Sequence, residues 1–318
     1  MYRKDEARPQ RSRAAEEIGS KAYDALIEEV ITTPKPGLVD LYSNGAHRDM
    51  DADTFRRSAA ALYPFFAAMA RAGLDQAGTE EELFRGLRKT GMEAEKAMYA
   101  ATGGVNTHKG IIFTFGLFCA VAGRLLREGR DLTAVNLLET EQKMTVRILT
   151  EELEALRDKE DSAGDGHQRT HGEQNLRRYG TAGVRGEAIA GYPGVFAIGL
   201  PVLREGIRSG REWNRVKLQT LLTLMARTED SNILSRGGME ELERVHEETA
   251  ALLASGGAYR PDAEELLKAM DADYIRRNCS PGGCADLLAA AIFMHALTDD
   301  SKASRTATLT DSPVTASS

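Results

Sequence analysis

Apolar residues recur along this chain with the period of an α-helix. In residues 53–71 they fall on one helical face, at Phe55, Ala59, Leu62, Phe66 and Met69, behind a cap at Asp53 or Thr54. Similar spacing predicts further helices at 13–32, 79–100, 107–128, 131–157, 193–208, 211–227, 239–254, 261–277 and 284–298. No segment shows the sustained apolar–polar alternation that is typical of a half-buried strand. The pattern therefore predicts an all-α fold of about ten helices in a single domain, residues 13–298.

Two connections between the predicted helices are long and polar. Residues 33–50 are rich in Pro and Gly, and residues 158–185 are rich in charged residues and Gly. Connections of this length inside a compact domain are usually functional or disordered. Residues 299–318 are polar and of low complexity, which predicts a disordered tail.

Composition and charge exclude several classes of protein. The net charge is −7, from 41 basic and 48 acidic residues, and no basic stripe of the kind used by duplex nucleic-acid binders is present. The N-terminal residues lack the apolar segment of a signal peptide. The longest apolar run, 111–122, is shorter than the roughly 20 residues that span a bilayer. We therefore expect a cytoplasmic protein that binds neither nucleic acid nor membrane.

Five polar, Gly-rich clusters lie in the long connections or at helix starts. In chain order they are TPKPG with GAHRDM, TGGVNTHKG, THGE with GVRGE and GYP, EDSN with RGG, and NCSPGGCAD. Glycine lets backbone N–H groups approach an anion closely, and a helix N-terminus adds free donors and a positive dipole end. Gly103–Gly104 and Gly282–Gly283, each before an apolar helix, have this arrangement. The clusters therefore predict a site at helix N-termini and long Gly-rich connections.

Charged side chains in these clusters suit a polyphosphate and its metal ion. The basic residues are Lys35, Lys109, Arg185 and Arg236, and the acidic residues are Asp49, Glu173, Glu187, Asp230 and Asp286. Each feature also has a structural interpretation: glycine pairs as turns, Asp230 as a helix cap, and His47 or His108 as a hydrogen-bonded structural residue. Recurrence of the same residue types in five clusters favours a site. None of the clusters matches a Walker A or Rossmann pattern.

In these clusters the sequence resembles the triphosphoribosyl-dephospho-CoA synthase family, which makes the prosthetic-group precursor of citrate lyase and malonate decarboxylase. The matching stretches are TPKPGLVD, NGAHRDMD, TGGVNTHKG, THGE with GVRGEAIAGYP, and NCSPGGCADLLA, between about residues 24 and 298. Tyr192 and Cys284 stand where the family pattern has Phe and a small residue, and residues 159–168 are an insertion. The resemblance implies an all-α fold and a reaction in which ATP and 3′-dephospho-CoA give 2′-(5″-triphosphoribosyl)-3′-dephospho-CoA and adenine.

The implied reaction assigns roles to the cluster residues. Glu187 is the candidate general base or oxocarbenium stabiliser, and His47 with Asp49, or His108, is the candidate proton donor to adenine. The candidate substrate-binding residues are Lys35, Gly103, Gly104, Asn106, Lys109, Arg185, Arg236, Gly282 and Gly283. The candidate Mg²⁺ ligands are Glu173, Asp230 and Asp286.

Two other functions stay open on the sequence alone. An all-α, metal-dependent N-glycosidase or ADP-ribosyl hydrolase would use the same acids but pass the ribosyl group to water. A non-catalytic sensor of CoA or a nucleotide would keep the pocket without the chemistry. The resemblance implies that the product is consumed downstream by apo acyl carrier protein and its prosthetic-group transferase. The pathway served is that of either citrate lyase or malonate decarboxylase.

Overall fold

The computed structural model describes residues 3–160, 178 and 180–299. In these residues the chain forms eleven α-helices and no strand, so the predicted all-α class is confirmed. The helices are α1 (Arg3–Val30), α2 (Ala52–Asp75), α3 (Glu80–Thr102), α4 (Lys109–Arg127), α5 (Ala134–Glu160), α6 (Gly183–Ile189), α7 (Leu200–Arg208), α8 (Trp213–Met225), α9 (Ser231–Ala254), α10 (Ala263–Arg277) and α11 (Gly282–Thr298). A π-helical turn, Gly194–Gly199, precedes α7, and a 3₁₀ turn, Gly257–Tyr259, precedes α10.

Helix α4 lies at the centre of the fold and packs most extensively against α2. Most of its residues are buried, as the apolar run in the sequence predicts. The two helices touch through their backbones: a side chain at Gly73 would overlap the Ala120 carbonyl oxygen, and one at Gly123 would overlap the Ala70 carbonyl oxygen. Glycine at these two positions therefore sets the spacing between α2 and α4.

In the described part of the chain, α4 is also long and apolar enough to cross a membrane by length and composition alone. Within the structure, 78% of that stretch is buried among the other helices, as in the core helix of a globular fold. The helix is longer than the apolar run at 111–122, because its polar and charged ends extend the segment to 19 residues. Burial by neighbouring helices accounts for its apolar composition.

The largest differences from the predictions are two helix starts and one helix that was not predicted. Helix α1 begins ten residues earlier than predicted, at Arg3, and α6 was not predicted because its sequence, GVRGEAI, contains two glycines and reads as a loop. Helix α9 begins at Ser231 rather than 239, because Asp230 caps it. Gly238 interrupts that helix with φ 74° and ψ −166°. The predicted start at residue 239 therefore lies directly after this interruption.

The connection between α1 and α2 is held by two buried acids. Asp40 accepts hydrogen bonds from the backbone N–H groups of Lys35 (2.6 Å) and Ser43 (2.9 Å). Asp271 of α10 accepts from the Gly37 N–H (2.9 Å) and the Ser43 hydroxyl (2.7 Å). The connection between α1 and α2 is thus fixed against α10. The backbone of Lys35 is held in position by Asp40.

The predicted domain limits, 13–298, stay a prediction. The insertion at 159–168 lies outside the described residues apart from 159–160, which end α5, and the tail lies outside them beyond residue 299.

Candidate active site

Polar residues from separate motifs meet where α1 ends and where α4, α9 and α11 begin. Burial and electrostatic coupling link five of them, Glu29, Lys35, His108, Asp230 and Asp286, which we call the central polar cluster. Four of the five were predicted as site residues from the sequence. Glu29, in the last turn of α1, was missed because an acid in a charged helix reads as a solvated residue.

Lys35 is almost fully buried, at 1% exposed, and forms an ion pair with the Glu29 carboxylate. Its ammonium also donates to the Glu29 carbonyl oxygen (2.8 Å). Two of its three protons are therefore used inside the protein. Lys35 was predicted to grip phosphate, but in this structure its main contact fixes Glu29, and one proton is left for a ligand.

Asp286 is the acid of the cluster that has free oxygens. Its carboxylate has no hydrogen-bond donor among the described residues, and its Oδ2 lies against Gly110, where a Cβ would come within 2.7 Å. Burial, followed by the nearby Glu29 and Asp230 carboxylates, raises the pKa of Asp286 well above its ordinary value. A cation or a hydrogen-bond donor from a ligand would relieve this repulsion.

Asp230 is engaged as a double helix cap. Its Oδ1 accepts from the N–H groups of Asn232 (2.8 Å) and Ile233 (3.2 Å) in α9, and its Oδ2 accepts from Cys284 N–H (2.8 Å) in α11. The structural interpretation left open for Asp230 therefore describes its contacts. A Cβ at Gly283 would lie 3.0 Å from Asp230 Oδ2, so this glycine lets the two helix starts pack together.

The described residues offer no ready-made metal cage, because no group of three His, Cys, Asp or Glu side chains in them has the geometry to hold an ion. Mg²⁺ commonly binds through one or two carboxylates together with substrate phosphates. Asp286, with its free oxygens and with Glu29 nearby, fits that mode, whereas Asp230 is largely occupied. Glu173, the third predicted ligand, lies outside the described residues with the rest of THGE.

His108 is the N-cap residue of α4 and is buried, at 3% exposed. Its Nδ1 lies 2.7 Å from the Ser58 hydroxyl of α2, and the ring packs at a right angle on Phe55 with centroids 5.0 Å apart. Burial and the Lys35 ammonium lower its pKa to about 3. His108 is therefore a neutral imidazole at neutral pH.

His47 lies in a second polar group that joins three of the predicted clusters. Its Nε2 is 2.9 Å from the Ser280 hydroxyl, and its Nδ1 is 3.3 Å from Nη2 of Arg236. Since a guanidinium only donates, Nδ1 accepts and Nε2–H donates to Ser280. Burial and then Arg236 lower the pKa of His47 to about 4, against the opposing effect of exposed Asp49. Arg236 also donates to the carbonyl oxygen of Ala46 (2.9 Å), so its guanidinium connects α9 to the segment between α1 and α2.

Glu187 lies in α6, which with the following π-helical turn forms a segment, residues 183–199, that we call the Glu187 turn. Its Oε2 accepts from the Gly194 N–H (3.2 Å), and its other oxygen has no donor among the described residues. Burial raises its pKa. Gly194 also lies against Leu287, where a Cβ would come within 2.7 Å, so the turn borders the residue next to Asp286. Arg185 of the same turn is exposed.

A buried acid that the sequence did not single out supports this turn. Glu141 of α5 is fully buried and accepts from the Thr145 hydroxyl (2.7 Å) and the Gln142 amide (2.8 Å). Gln142 also donates to the Ala188 carbonyl oxygen (2.8 Å), next to Glu187. Burial raises the pKa of Glu141 to about 7. A lone Glu in a charged helix gives no sequence signal for this role.

Gly103 and Gly104 end α3 rather than open α4, contrary to the predicted arrangement. Gly103 is the left-handed C-cap of α3 (φ 70°), and Gly104 (φ 92°) donates from its N–H to the Tyr99 carbonyl oxygen (2.8 Å). Asn106 Oδ1 accepts from the Lys109 N–H (3.2 Å) at the start of α4. The exposed Lys109 ammonium pairs with Glu95 at 2.6 Å. These four residues lie at the solvent side of α4.

Two open surface grooves lie away from these residues. One, of about 430 Å³, is lined by α5, the π-helical turn and α7, and the other, of about 380 Å³, by α7, α8 and Tyr259. Neither contains a member of the central polar cluster.

Comparison with known proteins gives a consistent result. The family model of ATP:dephospho-CoA triphosphoribosyl transferase matches residues 15–305. The chain is 43% identical to a probable 2-(5″-triphosphoribosyl)-3′-dephosphocoenzyme-A synthase of Vibrio cholerae, over 88% of each chain. It is 40% identical to the 2-(5″-triphosphoribosyl)-3′-dephosphocoenzyme-A synthase of Klebsiella pneumoniae, over 89% of this chain and 91% of the relative. No solved structure matches the chain. The chain therefore belongs to the ATP:dephospho-CoA triphosphoribosyl transferase family.

Proposed function

We propose that the chain transfers the 5-triphosphoribosyl group of ATP to the 2′-hydroxyl of 3′-dephospho-CoA, forming 2′-(5″-triphosphoribosyl)-3′-dephospho-CoA and releasing adenine. Family membership and the names of the relatives support this activity. The structural observation that carries the proposal is the central polar cluster, which gathers residues of distant motifs around one carboxylate with free oxygens, Asp286. The reaction breaks the N-glycosidic bond of ATP and leaves its triphosphate intact.

Glu187 is our candidate for the group that removes the 2′-hydroxyl proton or stabilises the oxocarbenium-like transition state. Displacement at an anomeric carbon develops positive charge, which a nearby carboxylate stabilises. One Glu187 oxygen is held by Gly194 N–H, and the other is free to accept a proton. Its raised pKa makes it a stronger base than an exposed glutamate.

Departing adenine needs a hydrogen-bond donor. His47 and His108 are candidates for this role as neutral imidazoles. Both are neutral at pH 7, with pKa values lowered to about 4 for His47 and about 3 for His108. They are therefore proposed to donate a hydrogen bond to the leaving base, whereas the sequence predicts that one of them supplies a proton to adenine. Nε2 of His108 has no partner among the described residues, whereas that of His47 is used by Ser280. His108 is the better candidate.

Mg²⁺ is proposed to bind with the triphosphate through Asp286, assisted by Glu29. When bound, the ion would neutralise phosphate charge during binding. Exposed Lys109 and Arg185 are proposed phosphate contacts at the rim. We further propose a cytoplasmic location and indirect use of the product by apo acyl carrier protein and its prosthetic-group transferase.

The activity is tested by incubating the purified chain with ATP, Mg²⁺ and 3′-dephospho-CoA and following products by mass spectrometry. Adenine and the conjugate in equal amounts, without free phosphate, is the expected result. Adenine formed without 3′-dephospho-CoA would instead identify an N-glycosidase or ADP-ribosyl hydrolase. Absence of adenine under all conditions would leave a nucleotide- or CoA-binding protein and overturn the proposal.

A further inference from the structure

A buried serine links α2 to the N-cap residue of α4. Ser58 is fully buried on the apolar face of α2, and its hydroxyl lies 2.7 Å from Nδ1 of His108 and 2.7 Å from the hydroxyl of Thr107. A polar side chain on an apolar helix face costs stability unless it is hydrogen-bonded. Here both of its bonds go to the connection that precedes α4.

The direction of these bonds follows from the donors that are available. Thr107 Oγ1 donates to Ser58 Oγ. The Ser58 hydroxyl then has one hydrogen of its own, and among the described residues Nδ1 of His108 is the acceptor in reach. With these directions, Nδ1 carries the lone pair that accepts from Ser58. Because the ring is neutral, its single proton is on Nε2.

We propose that Ser58, oriented by Thr107, is a positioning residue that holds His108 as the Nε2–H tautomer, so that this N–H donates to the leaving adenine. The proposal rests on the proposed function for its catalytic consequence, but the tautomer itself does not depend on it. A histidine tautomer is set by the hydrogen bond that its other ring nitrogen makes. In a serine protease, the wrong tautomer of the catalytic histidine nearly abolishes turnover while leaving the structure intact.

The surroundings of the ring agree with this role. Phe55 packs edge-on against the imidazole and restricts its rotation. The Lys35 ammonium lies close enough to oppose a second positive charge, so the ring stays neutral. Nε2 has no hydrogen-bond partner among the described residues, so its N–H is available to a ligand. A purely structural histidine would be expected to satisfy both nitrogens.

The first test observes the tautomer by ¹⁵N NMR of the imidazole groups at pH 7, with His108 assigned from the signal lost in His108→Gln. We expect the Nε2–H tautomer in the unaltered protein and a mixture of tautomers in Ser58→Ala. An Nδ1–H tautomer in the unaltered protein, or no change in Ser58→Ala, would overturn the proposal.

The second test separates catalysis from folding. Ser58→Ala and Thr107→Val are each expected to lower kcat for adenine release by at least about tenfold. This loss is smaller than the roughly hundredfold or greater loss expected when an acid–base group is removed. The KM for ATP should change by no more than about twofold. Thr249→Val is the matched control, since it removes a buried hydroxyl that bonds only backbone carbonyl oxygens in α9, and its kcat should not change.

The outcomes separate this proposal from the proposed function. If the tautomer shifts in Ser58→Ala and kcat does not, His108 takes no part in the chemistry and the positioning role is wrong. If the unaltered protein releases no adenine, the proposed function fails and the catalytic role of Ser58 fails with it, while the NMR result still decides the tautomer. An equal loss of kcat in Thr249→Val would show a general folding defect and overturn the positioning role.

Discussion

The central polar cluster and the Glu187 turn are built in opposite ways. The cluster lies at the ends of long helices, where Lys35 neutralises Glu29 and Asp230 accepts three backbone N–H groups. The Glu187 turn is a seven-residue helix followed by a π-helical segment, and one backbone N–H holds Glu187 itself. The contrast sets a firmly held cluster, proposed to bind substrate, beside the more lightly held Glu187, proposed to be the reacting group.

The largest expected effect is on the folding of the cluster. Lys35→Met leaves the buried Glu29 carboxylate without its counter-charge, and breaking a buried pair in this way typically costs about 3–5 kcal/mol. Urea unfolding measures the change in the free energy of unfolding. Lys268→Met removes an exposed ion pair with Glu264, which solvent screens, and should leave the free energy of unfolding nearly unchanged. Equal effects of the two substitutions would contradict the described burial of Lys35.

The next largest effect is the contribution of Glu141, which lies beside the Glu187 turn, to the pH dependence of the free energy of unfolding. Glu141 has a folded pKa of about 7 against an ordinary value of 4.5, so its neutral form is favoured on folding. The stability that it contributes is complete below pH 4.5 and is lost as the pH rises through 7. Glu141→Gln should abolish that loss, which amounts to about 3 kcal/mol between pH 4.5 and pH 8.

Chemical unfolding at pH 5 and pH 8 measures this difference. Glu139→Gln on the same helix is the control, because Glu139 is exposed and should keep the pH dependence of the unaltered protein. If Glu141→Gln loses stability equally at both pH values, its carboxylate is not protonated on folding as described.

A smaller effect, on activity alone, is expected at Glu187, the proposed base. Glu187→Gln should release adenine at least about a hundredfold more slowly, the least expected from loss of a general base, because the amide cannot accept the proton. ATP affinity by calorimetry should stay unchanged, since the firmly held cluster is intact. Exposed Glu247→Gln should retain full turnover. Unchanged turnover in Glu187→Gln would exclude this residue as the base.

The smallest effect is expected at the rim. Lys109→Met removes an exposed cation that is already paired with Glu95, so we expect the KM for ATP to rise only about two- to fivefold, the range of a surface charge interaction. Lys89→Met, an exposed control on α3, should leave KM unchanged. A loss of kcat without a change in KM would place Lys109 at the reacting centre instead.

Helix positions and much of the cluster could be predicted because each depends on local sequence. Apolar periodicity located ten of the eleven helices within the described residues, and the Gly-rich motifs pointed to Lys35, His108 and Asp286. The partners could not be predicted, since nothing local shows that Glu29 pairs with Lys35. The same holds for Ser58 and Glu141, which occupy ordinary helix positions and gain their roles only from the neighbours that packing brings.

The glycine pair Gly103–Gly104 could be located from the sequence, but its role could not be predicted. Gly103–Gly104 precedes an apolar helix and resembles a phosphate-binding loop in sequence, but its positive φ angles terminate the helix before it. Glycine suits both arrangements for the same conformational reason. Sequence therefore identified a special backbone position without showing which helix it belongs to.

The backbone contact of α2 and α4 at Gly73 and Gly123 has a consequence for the order of events during synthesis. Helices α1 to α4 are consecutive and pack mainly on one another, so the N-terminal half can assemble before the rest of the chain leaves the ribosome. Ser58 and His108 would then already be paired in the nascent chain. Asp286, on α11, would arrive afterwards, so the nascent chain would acquire this proposed ion-binding carboxylate only after the N-terminal helices are in place.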